Sequence, residues 1–446
     1  MTHERYTLLA LARVGSPWFR EVARWSTAAS LPIDLVKTVS AGEVQARLRS
    51  GRAFSALVVD DTVVGLDRDL LEESGRAGCA VVVVESGRAG RPWEELGASA
   101  VLAPDFDAPA LMQVLSQVAR PVGAETTTAL SVAEAISPSG RPEGNRGRLI
   151  VVTGAGGTGS STVAMAISQH AARGGVDVVL ADLALHAEQA MLHATPDVVP
   201  GLAELADAHR LGRPGPESIR SLTWHIATRG YDLLLGLRRH QDWTALRRRS
   251  LALTLEGLRH SYPLVVADVD PDLEGERATG SMDVEERNAL SRAAVEAADL
   301  VVVVGTGEMK GIHSLLRVVR GVVDHGTDPA RVLPVVNRAP RSARARAELT
   351  RAIGTLALRD PRPDPSTTGP ALQRLPSPVF LGERRHLDTC MRDTARLPET
   401  WLRPVGAAAL ALLDHSAPGA STTDPDPVPV MPGSLGVAAI DSEGSA

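Results

Sequence analysis

Residues 149–167 read LIVVTGAGGTGSSTVAMAI: a β-branched apolar run, a glycine-rich turn and an apolar-faced helical pattern in immediate succession. A strand, a tight loop and a helix in that order are the setting of a phosphate-binding loop. Gly154, Gly156, Gly157 and Gly159 let the backbone around Thr158 curl so that its N–H groups face inward, and the helix start adds the positive end of its dipole. Neither feature needs a side chain. The spacing G-x-x-x-x-G-K-[ST] is met by Gly154, Gly159 and Ser161, but Ser160 stands where the lysine belongs. Serine donates a hydrogen bond yet brings no positive charge to the β- and γ-phosphates. Ser161 keeps the hydroxyl that would ligate Mg²⁺, and Thr162 stands where it could contact an α-phosphate. A glycine-rich turn after a strand is also common in Rossmann-like sheets, so the surrounding chain has to decide.

At 446 residues the chain exceeds the usual size of one hydrophobic core, which predicts two domains. A hydrophobic fraction of 44% and a charged fraction of 22% are those of a soluble globular protein. The net charge of −6 argues against broad nucleic-acid binding, and Lys37 and Lys310 are the only lysines. Cys79 and Cys390 are too few for a disulfide framework or a zinc site, which fits a reducing cytoplasm. The N-terminal MTHERYTLLALARVG reads as a first strand rather than a targeting segment. No apolar segment approaches the roughly 20 residues of a membrane span, so any membrane role is peripheral.

From Tyr6 to about residue 120, the short apolar runs TLLALARV, PIDLVKTV, ALVVDD, AVVVVE and SAVLA alternate with helical patterns. That alternation predicts a parallel sheet covered on both faces. This (βα)5 half, residues 1–120, resembles a response-regulator receiver domain, with Asp60 near the place of the phosphoacceptor. The acidic pair that would hold Mg²⁺ after the first strand is replaced by LALARVGS, and Pro104 stands at the lysine position. Phosphorelay chemistry is therefore not expected, and the half reads as a docking module in which Asp60 and Asp61 end a strand or cap a helix. Residues 121–147 gain Gly, Pro, Ser and Thr as linkers do, and residues 416–446 have the composition of a disordered tail.

Residues 148–415 resemble the MinD/ParA group of P-loop ATPases, whose loop has the form GKGGxGKTT. GAGGTGSST (residues 154–162) is similar at every glycine, with Ala155 in place of the signature lysine that reaches across a dimer, and Ser160 in place of the general one. The resemblance implies ATP or ADP with Mg²⁺ as ligand and a homodimer as assembly. It places Asp182 at the first acid of an Asp-x-Asp pair, Ala184 at the second, which positions the attacking water, and Asp268 at the Walker B acid. Ser161, Asp182 and Asp268 are then the candidate Mg²⁺ residues, and Asn337 takes the strand-end place where relatives contact adenine. With both lysines and the second acid replaced, robust ATP hydrolysis is not expected.

A receiver-like domain ahead of a MinD-like one is similar to the CpaE/TadZ branch, the localisation factors of Tad-type pilus and secretion systems. The arginine-rich composition and the segment LPSPVFLGERRHLDTCMRDTARLP are most like the actinobacterial septum site-determining (Ssd) proteins. The resemblance implies protein partners at the septum, or in Tad-type machinery, and a role in localisation or scaffolding. Two other readings stay open: a slow ATPase helped by an arginine such as Arg238, and a DNA-binding regulator acting through LRRHQDWTALRRRS, which more often forms a solvated helix face. The segment PETWLRPVGAAALALLDH is amphipathic at best and contains Pro404.

Overall fold

The computed structural model describes residues 5–13, 15–86, 91–122, 146–195, 199–358, 371–384 and 386–415. Most of the expected linker and the whole expected tail lie outside them.

Strands β1 (Tyr6–Leu11), β2 (Ile33–Thr38), β3 (Ala56–Asp60), β4 (Ala80–Val84) and β5 (Ala100–Leu102) fall where the apolar runs place them. They form one parallel sheet in the order β2-β1-β3-β4-β5. Helices Ala41–Arg49, Arg68–Arg76 and Trp93–Leu96 cover one face through Val44, Leu71 and Trp93, and Pro17–Thr27 and Ala108–Val118 cover the other through Trp18 and Leu111. Burial on both faces explains why the strands read as continuous apolar runs. Asp60 and Asp61 sit at the end of β3 and cap no helix. The Asp60 carboxylate accepts from the Thr62 backbone N–H at 3.0 Å, and that of Asp61 accepts from the Ser86 hydroxyl at 2.8 Å. The cap of the next helix is Asp67, which accepts from the Leu70 backbone N–H.

The second sheet contains β6 (Arg148–Gly154), β7 (Val178–Asp182), β8 (Trp224–Ile226), β9 (Tyr231–Leu234), β10 (Leu264–Asp268), β11 (Leu300–Thr306), β12 (Val332–Ala339) and β13 (Val379–Gly382). Its order is β13-β12-β11-β6-β10-β7-β9-β8, and every pair is parallel except β8 with β9 at the edge. Strand β6 is therefore interior. The chain builds to one side of it through β7, β9 and β10 and then crosses to the other through β11, so the end of β6 is a topological switch point.

Leu149 and Val151 face a core layer shared with helices Leu202–Leu211, Arg248–Ser261 and Met309–Asp324, whereas Ile150 and Val152 face Ser160–Arg173. The segment with Pro404 is a single helix, Glu399–His415, that buries Trp401, Leu402, Val405, Ala409 and Leu413 in that second layer. Packing of this apolar face outweighs the roughly 3 kcal/mol penalty of an internal proline.

The two sheets are bridged by the helix Arg68–Arg76. Glu72 pairs with Arg249 at 2.9 Å, Asp67 pairs with Arg210 at 3.5 Å, and Arg68 between them is 4% exposed. The Arg249 side chain is 40% exposed, so Glu72→Gln should lower stability by less than about 1 kcal/mol in urea denaturation. A loss of several kcal/mol would mean that the ion pair, rather than burial around Arg68, holds this contact.

Candidate functional site

The loop after β6 is shaped by the chain itself before any ligand is considered. A Cβ on Gly154 would lie 2.4 Å from the Val304 carbonyl oxygen on β11, so only glycine fits between the strands. The Thr158 hydroxyl donates to the Ala155 carbonyl at 2.7 Å and closes the turn. Gly157 and Gly159 have φ of +77° and +87°, in the left-handed region that favours glycine. Gly156 differs: it is exposed, its φ is not left-handed, and a Cβ there would meet nothing within 4 Å. Among the described residues no contact asks for glycine at this position.

The helix Ser160–Arg173 begins directly at the loop with Gly159 as its N-cap, so no side chain caps its first turn. Its leading N–H groups and the positive end of its dipole face the loop, an arrangement suited to an anion. Ser160, Ser161 and Thr162 are half-buried in that first turn. Asn337, 8% exposed at the end of β12, donates from Nδ2 to the Thr158 carbonyl at 2.9 Å and accepts at Oδ1 from the Arg338 backbone N–H. Its amide thus braces the loop; reading the strand-end place alone did not reveal this bond.

Asp182 and Asp268 end adjacent parallel strands in register with one another. Both are buried, at 0% and 4% exposure, and neither has an arginine or lysine partner among the described residues. Burial pushes both carboxyls up, and the charge of Asp268 pushes Asp182 further. Hydrogen bonds pull the other way: Asp182 accepts from the backbone N–H groups of Gln189 and Ala184, and Asp268 accepts from Ser161 and from Gln189 Nε2 at 2.8 Å.

Gln189 ties this group together. It is fully buried on the short helix Gln189–Leu192, its Nε2 also reaches the Ser161 carbonyl, and its Oε1 has no partner among the described residues. Nothing in the string LHAEQAM marks this glutamine, because its role depends on a helix that folds back beneath the loop.

The donor chemistry fits Mg²⁺. The Ser161 hydroxyl, two buried carboxylates and an unpaired amide oxygen are all hard oxygen donors, and no group of three or more His, Cys, Asp or Glu among the described residues forms a closed protein cage. Mg²⁺ characteristically takes one or two carboxylates and leaves its other positions to water and phosphate.

The arginines that the sequence singled out are engaged elsewhere. Arg238, beyond the end of β9, is ion-paired with Glu204 on the helix Leu202–Leu211. Within the arginine-rich segment, Arg248 pairs with Glu285 and Arg249 with Glu72, which neutralises much of that face. His186 and His240 stack with ring centroids 4.4 Å apart on the exposed edge beyond β7 and β9. Ala184, two residues past Asp182, offers only a methyl group. Among the described residues no helix is long and apolar enough to cross a membrane.

No family model and no curated protein matches the chain. Among solved structures, it is similar to a putative plasmid partition protein from Borrelia burgdorferi B31 bound to AMPPNP, at 14% identity and TM-score 0.43 over 61% of this chain and 100% of that one. It is also similar to a ParA family ATPase from Chlorobium tepidum TLS, at 14% identity and TM-score 0.42 over 60% and 98% of the two chains. The septum site-determining protein MinD with Mg-ADP from Pyrococcus horikoshii OT3 matches at 19% identity and TM-score 0.40 over 60% and 93%.

Proposed function

We propose that residues 148–415 bind Mg-ATP or Mg-ADP at the loop after β6 and that the chain acts as a localisation or scaffolding factor rather than a cycling ATPase. The observation that supports this most is the uncapped start of the helix Ser160–Arg173, beside an exposed Gly156 that no contact among the described residues requires. The backbone N–H groups of the loop would hold the phosphates, and Ser160 would add a hydrogen bond without charge. Ser161 and Asp268, with Asp182 behind them, would hold Mg²⁺, which when bound neutralises phosphate charge. Asn337 would act by keeping Thr158, and with it the loop, in place.

Cleavage is not part of the proposal. The Ala184 methyl cannot orient a water, and no lysine or unpaired arginine among the loop residues meets charge moving off the γ-phosphate. A ligand that stays intact acts through mass action: at 100 times Kd it stabilises the state that binds it by about 2.7 kcal/mol. Bound nucleotide would thus favour one folded or dimeric form for partners to recognise.

We place that role with the CpaE/TadZ-like factors, at the division septum, with pilus or secretion machinery as the other setting. The cytoplasm with peripheral recruitment is the corresponding location, and a fluorescent fusion spread evenly through dividing cells would count against it.

Calorimetric titration of the Ser161→Ala variant tests the site. Loss of the hydroxyl should weaken Mg-ATP binding about tenfold, or about 1.4 kcal/mol, with little change when EDTA replaces Mg²⁺. Equal affinity of variant and parent in Mg²⁺ would remove Ser161 and the metal from the account.

A further inference from the structure

A second crevice lies at the carboxyl end of the five-stranded sheet. It has a volume of about 280 Å³ and is lined by Arg13, Ser16, Trp18, Asp60, Ser86 and Pro104, among others. This is the junction of β1 and β3, where the sheet's order reverses and open α/β sheets take their ligands.

Two buried polar groups here have no partner among the described residues. The Ser16 hydroxyl is on a residue 9% exposed and the Trp18 indole N–H on one 3% exposed, and both are unsatisfied. An orphaned buried donor costs about 1–3 kcal/mol, which an incoming acceptor would recover. Ser16 is also the N-cap of the helix Pro17–Thr27, yet its side chain caps nothing, so the positive end of that helix is left open at the crevice. Arg13 is exposed at the same crevice and forms no ion pair among the described residues. The acidic residues nearby are partly engaged: Asp60 Oδ1 accepts from both the Thr62 backbone N–H and its hydroxyl, and Asp61 accepts from Ser86.

We propose that this crevice binds the carboxylate or phosphate group of a small metabolite. The indole N–H of Trp18 and the hydroxyl of Ser16 donate to its oxygens, and Arg13 balances its charge. The single carboxylate of Asp60 on the same wall favours a monoanion, and the volume is at the low end for ligand pockets.

The test is a titration of the full-length chain with inorganic phosphate and, separately, with acetate, followed through the Trp18 indole N–H resonance, which a Trp18→Phe variant assigns. Because this reporter lies in the crevice, phosphate held at the loop after β6 does not register on it. The expected result is a saturable shift with at least one anion, weakened about tenfold in Arg13→Ser. A shift with phosphate alone or acetate alone identifies the headgroup. An unmoved indole signal with both anions, or identical titrations of the parent and Arg13→Ser, overturns the proposal.

Discussion

Replacing Gly154 with alanine is expected to destabilise the part of the chain built on the eight-stranded sheet by about 3 kcal/mol or more, while Gly156→Ala, two residues away, changes stability by less than about 0.5 kcal/mol. In the first variant the new methyl lies 2.4 Å from the Val304 carbonyl and 2.7 Å from the Thr158 hydroxyl, and backbone cannot step aside as a flexible side chain can. In the second it meets open space. Chemical denaturation of both variants measures the difference. If Gly156→Ala keeps full stability yet loses nucleotide, the two glycines have separate tasks, one holding β6 against β11 and the other leaving room above the loop. Equal stability losses would mean that the loop's shape, not its approachability, demands both.

Two buried histidines should each cost the protein stability as pH falls. His193 and His209 are 6% and 5% exposed, and burial, with help from Arg229 and Arg68 respectively, pushes each from 6.5 down to about 4. A histidine whose folded-state value is lowered contributes stability that is complete above pH 6.5 and is lost as pH falls toward 4. Each loss is on the order of 3 kcal/mol once the pH passes below both values.

Asp182 and Asp268 act with the opposite sign. Their raised carboxyls favour the folded state as pH falls, so the bare pH profile of the parent mixes the two effects. Comparison with His209→Gln isolates the imidazole: the parent's stability relative to that variant should fall by about 2 kcal/mol between pH 6.5 and 4.5. A difference that does not change with pH would contradict the buried neutral state.

His193 is held in one tautomer by its neighbours. Its Nδ1 lies 2.7 Å from the Gln189 carbonyl, which can only accept, so in the neutral ring Nδ1–H donates and Nε2 accepts from the Tyr231 hydroxyl at 2.7 Å. Charging this ring puts the added proton on Nε2, against the Tyr231 hydroxyl, while the Nδ1–H bond to the Gln189 carbonyl is kept, so the cost falls on the contact with Tyr231.

Much of the fold was legible in the chain, for reasons particular residues show. Strand β6, its loop and the helix Ser160–Arg173 are local, and a β-branched run, four glycines and helical spacing announce them without tertiary information. The five strands of the first sheet were legible in the same way. Asp182 and Asp268 were named through the resemblance to the MinD/ParA group, and the sheet register makes them neighbours.

What was not legible depends on packing between distant segments. Gln189 reaches Asp268 across 79 positions, and Asn337 reaches Thr158 across 179. Arg238 reads as a free cation until Glu204 is seen beside it. Arg68 looks like an ordinary surface arginine until the helix that carries it meets the helix Leu202–Leu211. Pro404 argues for a break until Trp401 and Leu402 are seen to bury against the sheet.

The most direct measurement is calorimetric titration of the full-length chain with Mg-ATP and Mg-ADP at pH 7.5, with product analysis of the ATP sample after the titration. The account predicts one site per chain for either nucleotide, and ATP recovered intact. No heat of binding with either nucleotide would contradict it: the glycines would then serve only the joint between β6 and β11, and the uncapped helix would be a feature of the fold alone.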